Sequence, residues 1–462
     1  MDRTEFRRWA VAAAEWGADY RDTVADRPVR AQTAPGSVAA LIDDSPPENP
    51  ESMEKIFADF EAKIMPGMTH WQHPGFFAYF PANAAPASVV AEHLVNAMAA
   101  QCMLWQTSPA ATELETHVLD WLRQALGLPA AFHGVIQDSA SSATLAAVLV
   151  MRERALAWQG NTQGLSEQGR LRLYVSAEAH SSVERAAWIA GIGAVNLVRL
   201  PGSGPHRSID AGDLRAAIAA DRAAGHIPAG LIACIGATGT GACDELRPLL
   251  DFARAEGLYS HVDAAWAGSA MICPEFRALW DGVEGADSVV MNPHKWLGAQ
   301  FDCAAHFLRD PDDLVRTLAI RPEYLKTHGA GGVIDYSEWS VPLGRRFRAL
   351  KVWFLLRFYG LDGLRAMIRD HVRWAKALAE RLRADPRFEV VTEPVLSLFT
   401  FRLAGADDDA QIAYLGRIND DGRIYLTQTR VDGRLVIRFQ VGAFAATETD
   451  VQLAGDVLAE LS

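Results

Sequence analysis

Cysteine is scarce in this chain: Cys102, Cys234, Cys243, Cys273 and Cys303 are the only five among 462 residues. They are odd in number, scattered, and nowhere form a CxxC pair. That excludes a disulfide framework and a thiolate zinc cluster, so no metal is expected, and a reducing, cytoplasmic compartment is. Basic charge is also in deficit, with 44 Lys and Arg against 57 Asp and Glu and a formal net charge of −13. Such a surface argues against nucleic-acid and anionic-membrane partners, while leaving room for a local basic pocket. No apolar run approaches the roughly 20 residues needed to cross a bilayer. The opening "MDRTEFRRWAVAAAEWGADY" interleaves charge with Trp, Ala and Val, as an amphipathic helix does and a secretory signal does not. Internal repeats and low-complexity tracts are missing too.

What is present is a large apolar fraction, 50% of residues, enough for a sizeable core divided among two or three units. The pattern suggests segments 1–85, 86–350 and 351–462. The first reads as helical with a break at Ser45-Pro46-Pro47, after which Glu51 to Ile64 can form a helix. "HPGFFAYFPANAAP" then packs aromatics between prolines, as a cavity wall or subunit contact would. From about residue 110, helical stretches such as "ATELETHVLDWLRQAL", "AGDLRAAIAADRAA" and "DELRPLLDFARAEG" alternate with "LRLYVS", "GLIACIG", "LYSHVDA", "DSVVMN" and "AAHFL". Strand–helix alternation of this kind implies a mostly parallel, helix-covered sheet, an α/β fold. Ligands bind such sheets at the carboxyl ends of the strands. The last segment reads as a smaller α+β unit, with a turn at Asp432-Gly433 between two strands. A final helix starts at Thr447, with Asp450 at capping-box spacing.

Four of the strand ends carry chemistry. "SASSATL" sets Ser139, Ala140 and Ser141 ahead of a helix, which is either ordinary serine capping or a phosphate seat. Asp263 in "HVDAAWAG" is either half of a structural salt bridge or a carboxylate facing a cationic ligand. His180 in "AHSSVE" is a structural histidine or a flat neighbour for a ring. In "NPHKWL", Asn292, His294 and Lys295 form a polar turn with a solvated lysine or a reactive amine. Together the four suit pyridoxal phosphate. Its aldehyde needs a lysine, its ring nitrogen a facing carboxylate, its ring a flat neighbour and its phosphate a helix start.

These motifs, with "FFAYFPANAAP", "SPAATELE", "CPEFR" and "PLGRRFRALKVW", resemble the aromatic-L-amino-acid decarboxylases among the group II pyridoxal-phosphate decarboxylases. The similarity runs from "EFRRWA" to the last helix. It implies fold type I, the aspartate-aminotransferase-like architecture. It also implies a homodimer with active sites at the interface, residues 1–85 being a helical flap, 86–350 the large domain and 351–462 the small one. By resemblance Lys295 bonds the coenzyme, Asp263 faces the pyridine nitrogen, Ala265 lies beneath the ring and His180 stacks on it. Ala140, Ser141 and Asn292 match phosphate positions, Thr238 a threonine near Asp263, and His294 a residue beside phosphate and substrate. Tyr324, in "RPEYLKTHGAGGVIDY", matches the tyrosine that returns a proton to substrate. The glycines at 329, 331 and 332 read as a lid.

The activity this implies is decarboxylation of an aromatic L-amino acid (tryptophan, DOPA, tyrosine or phenylalanine) to amine and CO₂. Trp71, Tyr79, Phe80, Pro81, Met103 and Leu104 match or neighbour the family's substrate pocket. Gly344 leaves room where some relatives carry serine, which there leans toward indolic rings. Ala82 stands where threonine is common, Ala237 replaces one of a threonine pair, and Met103 replaces phenylalanine and softens the pocket. The alternatives are an aldehyde synthase, a type of relative with phenylalanine in place of Tyr324, a histidine decarboxylase, and a silent scaffold.

Overall fold

The computed structural model describes residues 1–320 and 332–462. Tyr324 and the glycines at 329 and 331 lie outside these residues. The chain forms two compact units: residues 1–81, 374–391 and 400–462 in the first, and 82–373 with 392–399 in the second.

The second unit is built on seven strands. In chain order they are β1 (His133–Gln137), β2 (Leu171–Ser176) and β3 (Leu197–Leu200), then a short hairpin of β4 (Gly202–Ser203) and β5 (Ser208–Ile209) outside the sheet. The sheet resumes with β6 (Ile227–Cys234), β7 (Tyr259–Asp263), β8 (Ser288–Met291) and β9 (Ala304–Leu308). Their order across the sheet is β1-β9-β8-β7-β6-β2-β3. Neighbours pair in parallel except at β9, which runs against both β8 and β1. Every residue of β7, β8 and β9 is buried. A sheet covered on both faces favours apolar residues at successive positions, as at Val289, Val290 and Met291 of β8, rather than strict alternation. The carboxyl ends of β1, β2, β6, β7 and β8 therefore share one edge.

Helices cover the sheet as the sequence pattern expects, over Pro109–Leu126, Ala211–Ala223 and Leu246–Ala255. The helix expected after "SASSATL" already begins at Ala140, because Ser139 caps it: its Oγ accepts from the Ser142 N–H. That helix belongs to a large hydrophobic cluster that joins Ala146, Ala147, Val150 and Met151 with Val175, Ile232 and Tyr259.

The end of β1 is fixed by charge. Arg345 and Glu115, both almost wholly buried, pair at 2.5 Å. Glu115 also accepts the Ile136 N–H (2.8 Å), and Arg345 donates to the Ile136 carbonyl (3.0 Å). A second buried pair, Lys351 with Glu92 at 3.0 Å, donates onward to Gln300 Oε1 (3.0 Å). Buried pairs of this kind specify geometry more than they add stability.

The first unit contains helix Arg3–Thr23, whose N-cap Asp2 accepts two backbone amides, and helix Met53–Asp59, which continues as a wider turn through Ile64. Residues 27–52 and 68–85 are mostly irregular, against the expectation of a helical first segment. Prolines at 28, 35, 46, 47, 50, 74 and 81 forbid the continuous amide ladder a helix needs. The remaining strands are β10 (Phe388–Val395), β11 (Leu398–Leu403), β12 (Thr427–Val431) and β13 (Arg434–Gln440), in the order β10-β11-β13-β12. The β12–β13 turn falls at Asp432-Gly433, both with positive φ (50° and 80°), the conformation a two-residue hairpin demands. The capping box at Thr447 and Asp450 forms as its spacing foretold.

Candidate active site

The turn after β8 presents Lys295. Pro293–Leu297 makes a wide single turn in which Lys295 leaves helical geometry (φ −89°, ψ −105°), and Gly298 closes it at φ 90°. On either side the turn is anchored. Trp296 and Leu297 are buried, and Trp296 Nε1 donates to His371 Nδ1 (3.0 Å). Asn83 holds the turn's backbone twice, its N–H donating to the His294 carbonyl (2.8 Å) and its Nδ2 to the Lys295 carbonyl (2.6 Å). The lysine side chain is directed into a cavity of ≈ 170 Å³ at the sheet's carboxyl edge.

The other strand ends contribute to the same cavity. Asp263 closes β7, and its Oδ1 accepts the Ala265 N–H (3.0 Å), which fixes the carboxylate. Ala265 lies alongside, small enough to leave room for a flat ligand. From the end of β2 comes His180. The Ser182 N–H donates to its Nδ1 (3.1 Å), and Ser182 Oγ lies 2.9 Å from the same atom. With Nδ1 accepting, the neutral ring carries its proton on Nε2. Its pKa lies below the ordinary histidine value, chiefly through desolvation, with Asp263 drawing it up and Lys295 pushing it down.

After β6 the chain turns sharply through Gly236 (φ 80°), where a Cβ would stand 2.5 Å from that of Ala267. Thr238 rides on this turn. Ala140 and Ser141 open the helix after β1, and their amides precede its first intrahelical bond. Asn292, 2% exposed, has an Oδ1 without a hydrogen-bond partner among the described residues. A buried amide left open at a cavity wall is a place for a ligand. His294 is buried, with Nδ1 accepting the Cys303 N–H (2.8 Å). Burial lowers its pKa to about 3, so it is a fixed, neutral Nε2–H donor.

The structure thus brings Ala140, Ser141, His180, Thr238, Asp263, Ala265, Asn292, His294 and Lys295 to one cavity. These residues fit pyridoxal phosphate: an amine, a carboxylate, a flat imidazole, helix-start amides and an open carboxamide surround one flat space. Ser139, named with the phosphate seat, lines it as well, as do Ser182, Cys234, Gly236, Trp266 and Phe301, which the sequence reading did not assign to the site. Ser182, two residues after His180, is legible in hindsight from "HSS". Phe301 carried no signal: it is 55% exposed, its ring set edge-on to His294 at 4.9 Å.

Of the proposed substrate-contacting residues, Ala82, Met103, Leu104 and Gly344 belong to the second unit and are absent from the cavity lining. Gly344 adjoins Gln101, whose Oε1 accepts the Arg345 N–H (2.7 Å). Trp71, Tyr79 and Phe80 belong to the first unit, where Trp71 stacks on Phe76 (4.6 Å) and Tyr79 (5.9 Å).

Comparison with known proteins agrees with this geometry. The family model described as the pyridoxal-dependent decarboxylase conserved domain matches residues 35–404. Aromatic-L-amino-acid decarboxylase of Rattus norvegicus is 42% identical, the match covering 100% of this chain and 98% of the relative. Phenylacetaldehyde synthase of Arabidopsis thaliana is 39% identical over 100% of this chain and 96% of its own. Among solved structures, Oryza sativa TDC with PLP and tryptamine superposes with a TM-score of 0.96 at 35% identity, covering 100% of this chain and 98% of that one. Fold type I, expected from the motifs, is the fold observed. With its lysine at the sheet edge and its likeness extending end to end, the chain belongs to the pyridoxal-dependent decarboxylase family and uses pyridoxal phosphate as its coenzyme.

Proposed function

We propose that the chain decarboxylates an aromatic L-amino acid to the corresponding amine and CO₂. The observation that carries this reading is the meeting of Lys295, Asp263, His180 and Asn292 at one cavity. Its substrate class rests on relatives named for aromatic amino acids. Lys295 would hold the coenzyme through Nζ, and Asp263 would keep its ring nitrogen protonated. His180 and Ala265 would bound the two faces of the ring, with Thr238 supporting the coenzyme near Asp263. The amides of Ala140 and Ser141, with Asn292 and the Nε2–H of His294, would hold the phosphate end. The coenzyme supplies an aldehyde that captures the substrate amine and a ring that draws electrons from the bond to Cα. Trp71, Tyr79, Phe80, Ala82, Met103, Leu104 and Gly344 are assigned to the substrate by resemblance. Tyr324, outside the described residues, is assigned proton delivery to Cα.

The active form in this proposal is a homodimer in the cytoplasm, with residues 1–85 as flap, 86–350 as large domain and 351–462 as small domain. Supporting a second copy is an apolar stripe on helix Pro86–Met98, where Val90, Leu94 and Met98 are 54%, 48% and 52% exposed at four-residue spacing. Unpaired cysteines fit a reducing compartment. No helix among the described residues is long and apolar enough to cross a membrane.

An aldehyde synthase is the second reading, because relatives of that activity match the whole chain. A panel of L-amino acids assayed in parallel for amine, peroxide and oxygen uptake separates the two. The wild type is expected to give amine without oxygen uptake; peroxide in proportion to CO₂ would favour the synthase. Tyr324→Phe is expected to shift product toward aldehyde, ammonia and peroxide. Unchanged amine at an unchanged rate would remove Tyr324 from the mechanism. Asp263→Asn is expected to lower kcat by about a hundredfold or more, since it replaces a fixed charge opposite the ring nitrogen by a neutral amide. A kcat equal to wild type, read with saturating coenzyme, would place that charge elsewhere.

A further inference from the structure

Two of the cavity's loops, the one after β2 with His180 and the one after β6 with Thr238, are far apart in sequence yet meet at a single carboxylate. Glu178 precedes His180 by two residues, and Thr240 follows Thr238 by two. Thr240 Oγ1 donates to Glu178 Oε2 (2.9 Å), and the Arg207 Nε, from the β4–β5 hairpin, donates to Glu178 Oε1 (2.9 Å). Each member is itself fixed. The Glu178 N–H donates to Ser176 Oγ (3.2 Å) at the end of β2, and Thr240 Oγ1 accepts the Ala242 N–H (3.3 Å). In the turn bearing Thr238, the Gly236 and Ala237 amides both donate to the Ala242 carbonyl (2.9 and 2.8 Å). The hairpin is held over these loops in turn. Asp244 accepts the Ile209 N–H (2.8 Å) and the Cys234 N–H (2.7 Å), and the Cys243 N–H donates to the His206 carbonyl (2.9 Å).

We infer that Glu178 is a positioning residue for the coenzyme site: its carboxylate clamps the His180 loop to the Thr238 loop and to the hairpin, and thereby sets the imidazole against the ring. The inference rests on the reading that His180 and Thr238 face the coenzyme. Glu178 itself is absent from the cavity lining, so it acts only through the loops it joins. Thr240 is buried and Glu178 and Arg207 are largely covered, so the carboxylate is shielded from solvent competition. A charged acceptor with both oxygens committed is the arrangement that fixes a loop rather than decorates a surface.

The test uses the holoenzyme of Glu178→Ala, Glu178→Gln, Thr240→Val, the Glu178→Ala/Thr240→Val pair, and His180→Ala. Three properties are read: the coenzyme dissociation constant, by equilibrium dialysis against graded pyridoxal phosphate; the visible circular dichroism of bound coenzyme; and the melting temperature. Glu178→Ala and Thr240→Val are each expected to raise the dissociation constant about tenfold and to alter the dichroism. The double variant should be no worse than Glu178→Ala, because both remove one bond. Glu178→Gln, which keeps an acceptor for Thr240, should recover most of the loss. A merely structural role would lower the melting temperature without changing the dichroism, and that result overturns the inference. So does a dissociation constant within about twofold of wild type for Glu178→Ala when His180→Ala has raised it. If His180→Ala leaves coenzyme affinity unchanged too, the placement of the coenzyme fails first and the clamp falls with it.

Discussion

Replacing Lys295 by alanine is expected to lower turnover by about 10⁴-fold or more while the fold persists. Nζ is the primary amine the cavity presents opposite Asp263 and His180, and a carbonyl-bearing coenzyme needs such an amine both for attachment and for proton movement. The expectation that the fold survives comes from how the turn is held. Its anchors are the buried Trp296 and Leu297 and the two hydrogen bonds from Asn83 to the backbone of residues 294 and 295, none of which involves the Lys295 side chain. Lys295→Arg should be as inactive as the alanine variant, since a guanidinium keeps the charge but stays protonated. Amine release measured beside far-ultraviolet circular dichroism checks both statements. Turnover within tenfold of wild type in a folded Lys295→Ala would show that another group does this work.

The second large effect is a loss of stability in mild acid. His294 and His306 are buried with pKa values of about 3, and His371 with one of about 4, in each case chiefly through desolvation. In the unfolded chain each returns to about 6.5. Above that value both states are neutral and pH has no leverage. Below it the unfolded state binds protons that the folded state refuses, so stability falls with pH, on the order of 2 kcal/mol per imidazole by pH 5. Asp244 works in the opposite direction. Burial raises its pKa to about 6, so between pH 6 and 4 the folded state takes up a proton first and gains on the order of 1 kcal/mol at pH 5. Three groups outweigh one, and these four together lower the apoprotein's stability by on the order of 5 kcal/mol between pH 7.5 and pH 5. Urea midpoints across that range should fall accordingly. His306→Leu should flatten the profile, since neither ring nitrogen of His306 has a partner among the described residues. A flat wild-type profile would mean that these imidazoles reach solvent.

Much of this architecture was readable from local pattern. β8 announces itself through the apolar block Val289, Val290 and Met291, because both faces of the sheet are covered, and Asp263, Asn292 and Lys295 stand at or just beyond the carboxyl ends of β7 and β8, where the cavity is. Asp263, Asn292 and Lys295 were legible for that reason. The turn at Asp432-Gly433 and the cap at Thr447 depend on neighbours within three residues, so they too could be read. What escaped depends on distance along the chain. Asn83 supports Lys295 from 212 residues away, and no periodicity encodes such a partner. Phe301 reaches the cavity only because the chain doubles back between β8 and β9. The Glu178–Thr240 bond spans 62 residues and joins two loops that look like ordinary polar connections. The aromatic segment around Tyr79 was recognisable, but its local stacking arises from tertiary placement of Trp71 and Phe76. The first segment is less helical than its amphipathic start suggests, because prolines at 28 and 35, besides those at 46, 47 and 50, keep residues 27–52 mostly irregular.

The measurement closest to the central claim is chemical. The holoenzyme is treated with borohydride, which makes the lysine–coenzyme bond permanent, then digested and sequenced by mass spectrometry. The account predicts one pyridoxyl-modified peptide, containing "NPHKWLGAQF", with the added mass on Lys295. The same modification on a different lysine, or no modified peptide from protein that carries the coenzyme, would contradict it.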